Sequence, residues 1–127
     1  MTPSFESYKA VARVLSKYFD GLYGSDIGLL GDVFHDRAHY VTVTEGAFLY
    51  RTMEEYFPVV QGRPSPASQG ELRSDRILSI EFAGPVTALA RVECAIGAKA
   101  FTDLLTLIFV DGRWQIISKV FHYDLKS

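Results

Sequence analysis

Hydrophobic spacing predicts helices in the first part of the chain. From Pro3 to about Tyr23, apolar residues recur every three or four positions, as they do on the buried face of an amphipathic helix. A shorter stretch with the same spacing follows, capped by Ser25 or Asp26 and running to about Phe34. The pattern therefore predicts one long helix and one short helix.

A short hairpin and a third helix are predicted next. Residues 39–50 alternate around Glu45 and Gly46, with β-branched residues on one side and apolar residues on the other, which favours a hairpin. Thr52 and Glu55 then form the T-x-x-E pattern of a capping box, in which each side chain satisfies the backbone N–H of the other. This pattern predicts that a helix begins at residue 53.

A long loop should follow the third helix. Pro58 should kink or shorten that helix, because proline has no N–H and its ring clashes with the preceding turn. Residues 61–71, QGRPSPASQGE, are rich in Gly, Pro and Ser, which is typical of a loop. The segment is either a plain surface loop or, through Arg63, a lid.

The second half of the chain predicts four long strands. Their approximate bounds are 72–83, 86–96, 99–110 and 113–123. Asp111-Gly112 is the strongest hairpin signal, because both residues tolerate the positive φ of a tight two-residue turn. The order of elements predicts an α+β fold with a single domain over residues 1–127.

The tight turn also predicts which side chains share a face of the sheet. Counting outward from Asp111-Gly112 places Asp103 opposite Val120 and Phe101 opposite His122, all on the helix-facing side. Three residues of the preceding strand join that apolar face: Ala90, Val92 and Cys94. The polar residues of the same strands are expected on the opposite face: Arg91, Glu93, Thr102 and Lys119.

Asp103 and His122 could form an acid–base pair on the inner face. Diagonal neighbours on adjacent strands lie about 7–8 Å apart at the backbone, within reach of a carboxylate and an imidazole that lean toward each other. Burial would disfavour the charged carboxylate, and a protonated His122 would favour it. The alternatives are that Asp103 is a structural acid held by hydrogen bonds and that His122 is an ordinary, partly exposed side chain.

Composition narrows the classes of partner. The 127 residues are 48% hydrophobic and carry a net charge of −2, so we expect neither nucleic acid nor a membrane as a partner. Cys94 is the single cysteine, which excludes an internal disulfide and fits a cytoplasmic location. No apolar segment is long enough to span a bilayer, and residues 1–10 do not have the pattern of a secretion signal.

No motif for a metal or a cofactor is recognisable. His35, His39 and His122 could in principle supply three metal ligands, but their spacing matches no metal motif, so we expect no metal and no cofactor. Cys94 has no strong base nearby in the sequence pattern, which favours an inert thiol over a nucleophile. Patterns typical of serine hydrolases and nucleotide-binding loops are absent from the sequence.

Six short phrases give the chain a family resemblance. They are YFDGLYGSD (18–26), VFHDRA (33–38), RPSP (63–66), RVEC (91–94), FTD (101–103) and DGRWQIISKVFH (111–122). With the order of elements, they resemble the nuclear transport factor 2-like superfamily, which includes ketosteroid isomerase, scytalone dehydratase and SnoaL-like polyketide cyclases. Within it, they are similar to the bacterial group called putative lumazine-binding proteins.

The resemblance implies a cystatin-like α+β cone, in which a curved antiparallel sheet wraps around the three helices of the N-terminal half. It further implies a conical pocket for a small, mostly apolar ligand and a homodimer formed through the outer sheet face. Asp103, His122 and Tyr23 would be its catalytic residues, although Gly24 stands where scytalone dehydratase has an aspartate. The expected ligand-binding residues are Phe19, Phe101, Cys94, Val120, Trp114 and Tyr56, with Trp114 alternatively an anchor of the sheet.

Two functions from different classes remain open at this point. The first is a cofactor-free enzyme, similar to an isomerase, dehydratase or cyclase, in which Asp103 and His122 transfer a proton and Tyr23 donates a hydrogen bond to the developing oxyanion. The second is a non-catalytic ligand-binding or dimeric interaction module of the same fold.

Overall fold

The first two helices form where the apolar spacing predicts them. The computed structural model describes residues 4–126. Helix α1 spans Phe5–Gly24 and helix α2 spans Ile27–Val33. Ser4 caps α1 by accepting a hydrogen bond from a backbone N–H of the first turn, which satisfies one of the N–H groups that have no partner within the helix. Pro3, at which the sequence predicted the helix to begin, lies outside the described residues.

The predicted capping box opens the third helix. Helix α3 spans Met53–Gln61, and the Thr52 hydroxyl accepts a hydrogen bond from the Glu55 N–H at 3.2 Å. In return, the Glu55 carboxylate accepts from the Thr52 N–H at 2.9 Å. Pro58 lies inside the helix, which continues to Gln61, so the predicted shortening does not occur.

The described residues form six strands in one sheet. The strands are β1 (Phe34–Thr42), β2 (Leu49–Thr52), β3 (Asp75–Phe82), β4 (Thr87–Ile96), β5 (Lys99–Val110) and β6 (Arg113–Leu125), in the spatial order β2-β1-β6-β5-β4-β3. Neighbouring strands are antiparallel except for β1 and β6, which are parallel. That pair was not predicted, because a parallel pairing has no local turn that the sequence could reveal.

The β5–β6 pairing contains a β-bulge. The predicted register holds from the tight turn as far as Leu107, which lies opposite Ile116. Thr106 then lies opposite Ser118, so Ile117 is an extra residue in β6. Because side chains alternate between the two faces of a strand, one extra residue moves every following side chain of β6 to the other face.

This shift overturns several placements predicted for β6. Asp103 lies opposite Phe121 rather than Val120. Lys119, which was predicted on the outer face, lies in the interior with only 4% of its surface exposed. Val120 is 43% exposed, and the side chain of His122 is 61% exposed. The inward placement of Asp103 itself is confirmed, as it is for three residues of β4: Ala90, Val92 and Cys94.

The hydrophobic core lies between the inner sheet face and the helices. The α1 stripe contributes Val11, Leu15, Tyr18 and Leu22, and the sheet contributes residues such as Val92, Leu105, Leu107 and Ile116. Within residues 4–126, no helix is both long enough and apolar enough to cross a lipid bilayer.

Candidate functional site

A carboxylate and a tyrosine hydroxyl meet in the interior. Asp103 of β5 is 0% exposed, and the Tyr18 hydroxyl of α1 donates a hydrogen bond to its Oδ2 at 2.6 Å. They meet because Tyr18 belongs to the buried stripe of α1 and Asp103 to the inward set of β5. The second oxygen, Oδ1, has no hydrogen-bond partner among residues 4–126. A buried carboxylate oxygen without a donor is costly, so this atom has unused capacity to accept a proton or a hydrogen bond.

A buried ammonium lies in the same layer. Lys119 Nζ donates to the Tyr56 hydroxyl at 3.4 Å and lies 5.2–5.5 Å from the centroids of four rings. The rings are those of Tyr18, Tyr40, Tyr56 and Phe121. The negative faces of aromatic rings attract a cation at this distance, which offsets part of the cost of taking the ammonium out of water. Lys119 lies opposite Leu105, so it is a diagonal neighbour of Asp103 on the inner face.

Burial and neighbouring charge set the protonation states of this cluster. Burial by itself lowers the pKa of Lys119, but the electrostatic influence of its neighbours Tyr56 and Asp103 outweighs burial and raises the net pKa, so the ammonium stays charged at neutral pH. Burial raises the pKa of Tyr18 well above its ordinary value, and the Asp103 charge raises it further. Tyr18 therefore keeps its proton and acts as a donor to Asp103.

The thiol of Cys94 is also held in its protonated form. Burial raises its pKa to about 12, and the negative charge of Asp103 acts in the same direction. A thiol with such a pKa contains almost no thiolate at neutral pH. This fits the inert-thiol alternative for Cys94.

A cleft of about 630 Å³ lies above the buried cluster. Tyr40 and Phe121 line this cleft and also belong to the rings around Lys119, so they form the floor that separates the two. Their ring centroids are 4.6 Å apart, and Phe101 continues the aromatic surface at 5.7 Å from Phe121. The cleft therefore has an aromatic floor of tilted rings, with interplanar angles of 58° and 50°, and a cation beneath it.

The loop that follows α3 forms one wall of the cleft. Its residues Arg63, Pro64, Gln69 and Glu71 belong to the lining. The backbone carbonyl of Glu71 accepts a hydrogen bond from the Tyr23 hydroxyl at 2.7 Å, and its carboxylate accepts from the Gly97 N–H at 2.9 Å. The segment is thus fixed at one side to α1 and at the other to the β4–β5 turn.

Three of the predicted site residues lie away from the cleft. Phe19, Tyr23 and Cys94 border a crevice of only about 10 Å³, which is at most large enough for one water molecule. The Tyr23 hydroxyl donates to the backbone carbonyl of Glu71 at 2.7 Å, and its predicted role as a donor to an oxyanion stays a prediction. The tyrosine that donates to Asp103 is Tyr18, five residues earlier in α1.

The predicted Asp103–His122 pair is wrong. His122 lies opposite Thr102 on the outer face, and its Nε2 is 2.9 Å from Oδ1 of Asp124. The cause is the Ile117 bulge, which turns His122 outward. Val120, predicted to bind the ligand, is turned outward for the same reason.

Trp114 is placed as an anchor of the sheet. Its ring packs edge-on against Phe82 and Phe109, with centroids 5.8 and 5.7 Å away, near the β5–β6 turn. It is not part of the lining of the cleft. The anchor alternative, rather than the ligand-binding one, fits this position.

Two predicted ligand-binding residues do lie at the cleft or directly below it. Phe101 lines the cleft, and Tyr56 stacks on the floor residue Tyr40 with ring centroids 4.6 Å apart. Their roles in binding stay predictions. Within residues 4–126, no three histidine, cysteine, aspartate or glutamate side chains are grouped as metal ligands would be.

Two residues of the buried cluster, Lys119 and Tyr18, were not among the predicted site residues. Tyr18 lies on the same helical stripe as Val11 and Leu15, and that spacing predicts a buried ring without showing that its hydroxyl meets Asp103. Lys119 was assigned to the outer face by strict alternation. The adjacent pair Ile116-Ile117 was the available signal, because two neighbouring apolar residues in a strand are compatible with a bulge.

Comparison with known families gives a match over most of the chain. The sequence profile of the family described as "Putative lumazine-binding" matches residues 6–122. Among curated proteins, the aldolase FrzH of Cladobotryum sp is 40% identical over 40 residues, which cover 30% of this chain and 32% of the aldolase. The match thus spans about a third of the curated relative.

Solved structures share the whole fold. An NTF-2 like protein of unknown function from Silicibacter pomeroyi is 25% identical, with a TM-score of 0.83 over 98% of this chain and 100% of that one. An NTF2-like protein of unknown function from Shewanella baltica is 26% identical, with a TM-score of 0.86 over 98% of both chains. A putative ketosteroid isomerase from Kribbella flavida is 16% identical, with a TM-score of 0.55 over 91% of this chain and 78% of that one, and this likeness shows the fold alone.

Proposed function

The chain belongs to the putative lumazine-binding family and has the nuclear transport factor 2-like α+β fold, and from this premise we propose that its cleft binds a small, planar, conjugated molecule. One observation carries the proposal: Tyr40, Phe101 and Phe121 form a continuous aromatic floor in a cleft of about 630 Å³. Binding sites for small molecules have volumes of roughly 300–1,000 Å³ and mostly apolar walls with a few polar groups. Because these rings are tilted to one another, a conjugated ligand can pack against them both edge to face and with an offset stack.

Binding can be tested with neutral planar probes. We expect lumazine or naphthalene-2-carboxamide to bind in a fluorescence titration and Phe121→Leu to weaken binding about three- to tenfold, the range expected for one aromatic contact. Phe109→Leu is the matched control, because Phe109 is a partly exposed aromatic residue near the β5–β6 turn and outside the cleft.

The same experiment can contradict the proposal. Equal weakening by Phe121→Leu and Phe109→Leu would place the probe elsewhere. Failure of both probes to bind, together with native mass spectrometry that finds no copurified compound, would overturn the proposal.

A second candidate function is proton transfer without a cofactor. Asp103 Oδ1, which has no partner in the described chain, would take a proton from a carbon next to a carbonyl group, and the electron pair would pass to the carbonyl oxygen. The Lys119 ammonium and the Tyr18 hydroxyl are the nearby groups that can stabilise negative charge. Asp103 would then return the proton at another position. Because Asp103 is fully buried, Tyr40 and Phe121 must move aside for the reacting carbon to reach it.

Deuterium exchange separates this candidate from simple binding. We expect the wild-type protein to accelerate exchange of the α-protons of 1-tetralone in D₂O, observed by NMR, and Asp103→Asn to abolish the acceleration while the ketone still binds. Asp124→Asn removes an exposed carboxylate and is the control. If the ketone binds and exchange is equally slow with wild-type protein and Asp103→Asn, the protein is a binding module. If Asp103→Asn unfolds, Asp103 has a structural role.

We also propose a homodimer formed through the outer sheet face. Leu89, Leu104 and Val120 are all partly exposed there, on β4, β5 and β6, so three adjacent strands present apolar side chains to solvent. Sedimentation at micromolar concentration should show a dimer, and Leu104→Arg should shift it to a monomer. A wild-type monomer would contradict the proposal.

A cytoplasmic location stays a proposal as well. It rests on the single cysteine, Cys94, which is buried and has no disulfide partner in the sequence. Fractionation of cells that express the chain would test it, and recovery outside the cytoplasm would contradict it.

A further inference from the structure

The cleft contains three cationic side chains that have no acidic partner. Arg51, Arg63 and Lys99 belong to its lining. None of them forms an ion pair with an aspartate or glutamate in the part of the chain that the structure describes. This contrasts with Arg73 and Arg76, which form short ion pairs on the surface.

The two carboxylates of the cleft are already engaged by other groups. Glu45 accepts a hydrogen bond from the Tyr123 hydroxyl. Glu71 accepts one from the Gly97 N–H at 2.9 Å. Both acids keep their charge, so the lining carries three cations against two carboxylates, and neither carboxylate forms an ion pair with any of the three cations in the described residues.

Positive charge is concentrated around Tyr40 of that floor. The guanidinium carbon of Arg51 lies 5.5 Å from the Tyr40 ring centroid, and Lys119 Nζ lies 5.5 Å from it. Burial raises the pKa of Tyr40, while the charges of Lys119, Arg51 and Arg63 act against that rise. Two cations, from β2 and β6, thus lie against one ring, and Arg63 of the loop lines the same cleft.

Arg63 has an unmet hydrogen-bond donor. Its Nε is buried and has no acceptor among the described residues, although the side chain as a whole is only half-buried. An N–H group that is withdrawn from water without an acceptor costs about 1–3 kcal/mol, and more when the group is charged. The planar guanidinium presents its donors in a fork that matches the two oxygens of a carboxylate.

From these contacts we infer that the ligand is an organic anion, a planar conjugated carboxylate whose charged group is bound by Arg63 and Arg51 at the edge of Tyr40. The inference rests on the proposed binding function and narrows it from any flat molecule to a flat acid. The conjugated part lies against the aromatic floor, and its carboxylate accepts hydrogen bonds from the terminal guanidinium N–H groups of Arg63 and Arg51, which line the cleft. The Lys119 ammonium beneath the floor adds attraction for the same charge.

A pair of probes with the same shape tests the charge requirement. Naphthalene-2-carboxylate is negatively charged at neutral pH, and naphthalene-2-carboxamide has nearly the same size but no charge. We expect the wild-type protein to bind the carboxylate at least about tenfold more tightly in isothermal titration, because a charge-assisted contact contributes roughly 1.5–3 kcal/mol. The preference should diminish as salt is added, because salt screens charges that remain accessible to water.

Matched variants assign the preference to its residues. Arg63→Met should remove most of the preference for the carboxylate while leaving carboxamide binding unchanged, which shows that the cleft is intact. Arg91→Met is the control, because Arg91 is an exposed arginine on the outer sheet face and outside the cleft. If Arg63→Met does not fold, Arg51→Met tests the same contact from the other side of Tyr40.

The outcomes separate this inference from the proposed function. Equal binding of the two probes to the wild-type protein would overturn the anion inference and leave cleft binding standing. A preference that survives both Arg63→Met and Arg51→Met would overturn the assignment to these residues. Failure of both probes to bind would overturn the proposed function, and the inference with it.

Discussion

Tyr18 and Lys119 compensate the buried charge of Asp103 in different ways. Tyr18 supplies a direct hydrogen bond at 2.6 Å, while Lys119 supplies opposite charge from a diagonal position on the neighbouring strand. A buried carboxylate requires both kinds of compensation, because neither a single hydrogen bond nor a distant charge replaces its lost hydration. Substitutions of Tyr18 and of the Asp103–Lys119 pair test the hydrogen bond and the opposite charge separately.

Removing the Tyr18 hydroxyl should destabilise the fold. Tyr18→Phe keeps the ring in the core but leaves Asp103 without its donor, so we expect the free energy of unfolding in urea to fall by about 1–3 kcal/mol. Tyr8→Phe is the matched control on the same helix, because Tyr8 is exposed, and it should change stability by less than about 0.5 kcal/mol. Equal effects of the two changes would show that the hydroxyl does not stabilise Asp103.

Asp103 and Lys119 should be energetically coupled. Asp103→Asn and Lys119→Met each leave one buried charge uncompensated, and we expect each to cost about 3 kcal/mol of unfolding free energy. The double variant removes both charges, so it should lose at least about 1 kcal/mol less than the sum of the single changes. A double-mutant cycle by urea unfolding measures this difference, and strict additivity would contradict the pairing.

At the level of elements, the register of β6 determines which of its side chains lie near Asp103 in the interior. Without the Ile117 bulge, strict alternation would put His122 and Val120 inside and Lys119 outside, as the sequence analysis expected. With the bulge, Lys119 and Phe121 face Asp103 and the cleft. One inserted residue therefore places an ammonium, rather than an imidazole, diagonal to the acid on the inner face.

This also explains how far the sequence could predict the site. The helices, the capping box at Thr52, the tight turn at Asp111 and the inward position of Asp103 all depend on local signals, and the structure confirms them. The partner of Asp103 depends on register several residues away from that turn. A bulge has no obligatory residue type, and a buried lysine contradicts the usual preference for apolar residues, so alternation alone favoured the wrong pairing.

Chemical modification of lysines tests the bulged register. In the native protein, acetylation with a water-soluble ester should modify Lys9 readily and Lys119 at least about tenfold more slowly, because Lys119 is almost fully buried and Lys9 is not. Peptide mass spectrometry over a time course gives both rates. Deleting Ile117 should abolish this protection. Rapid modification of Lys119 in the folded wild-type protein would contradict the register.

At the scale of the whole molecule, four buried groups make stability sensitive to alkaline pH. The pKa values of Cys94, Tyr18, Tyr40 and Lys119 are all raised in the folded protein, chiefly by burial for the first three and by neighbouring negative charge for the lysine. The folded protein therefore holds protons that the unfolded chain releases above its ordinary pKa values. Because proton release then favours unfolding, stability is fully present below about pH 9 and decreases as the pH rises beyond it.

Cys94 should account for the first part of this decrease. Its ordinary pKa is 9.0 and its raised pKa is about 12, so the free energy of unfolding should fall by about 1 kcal/mol between roughly pH 9 and pH 10 from this group alone. Urea unfolding at several pH values measures the slope. Cys94→Ala should have a shallower slope over that interval, whatever its stability at neutral pH. Identical slopes would show that the thiol is not protected by burial.

The ties on the segment after α3 have one further consequence. Tyr23 and Gly97 hold Glu71 from opposite sides, and Arg73 adds an ion pair to Asp20 of α1 at 2.7 Å. This wall of the cleft is therefore already ordered before a ligand binds. A ligand then loses little affinity to ordering the chain around it. Selection among ligands then depends on how well they fit a wall that is already in place.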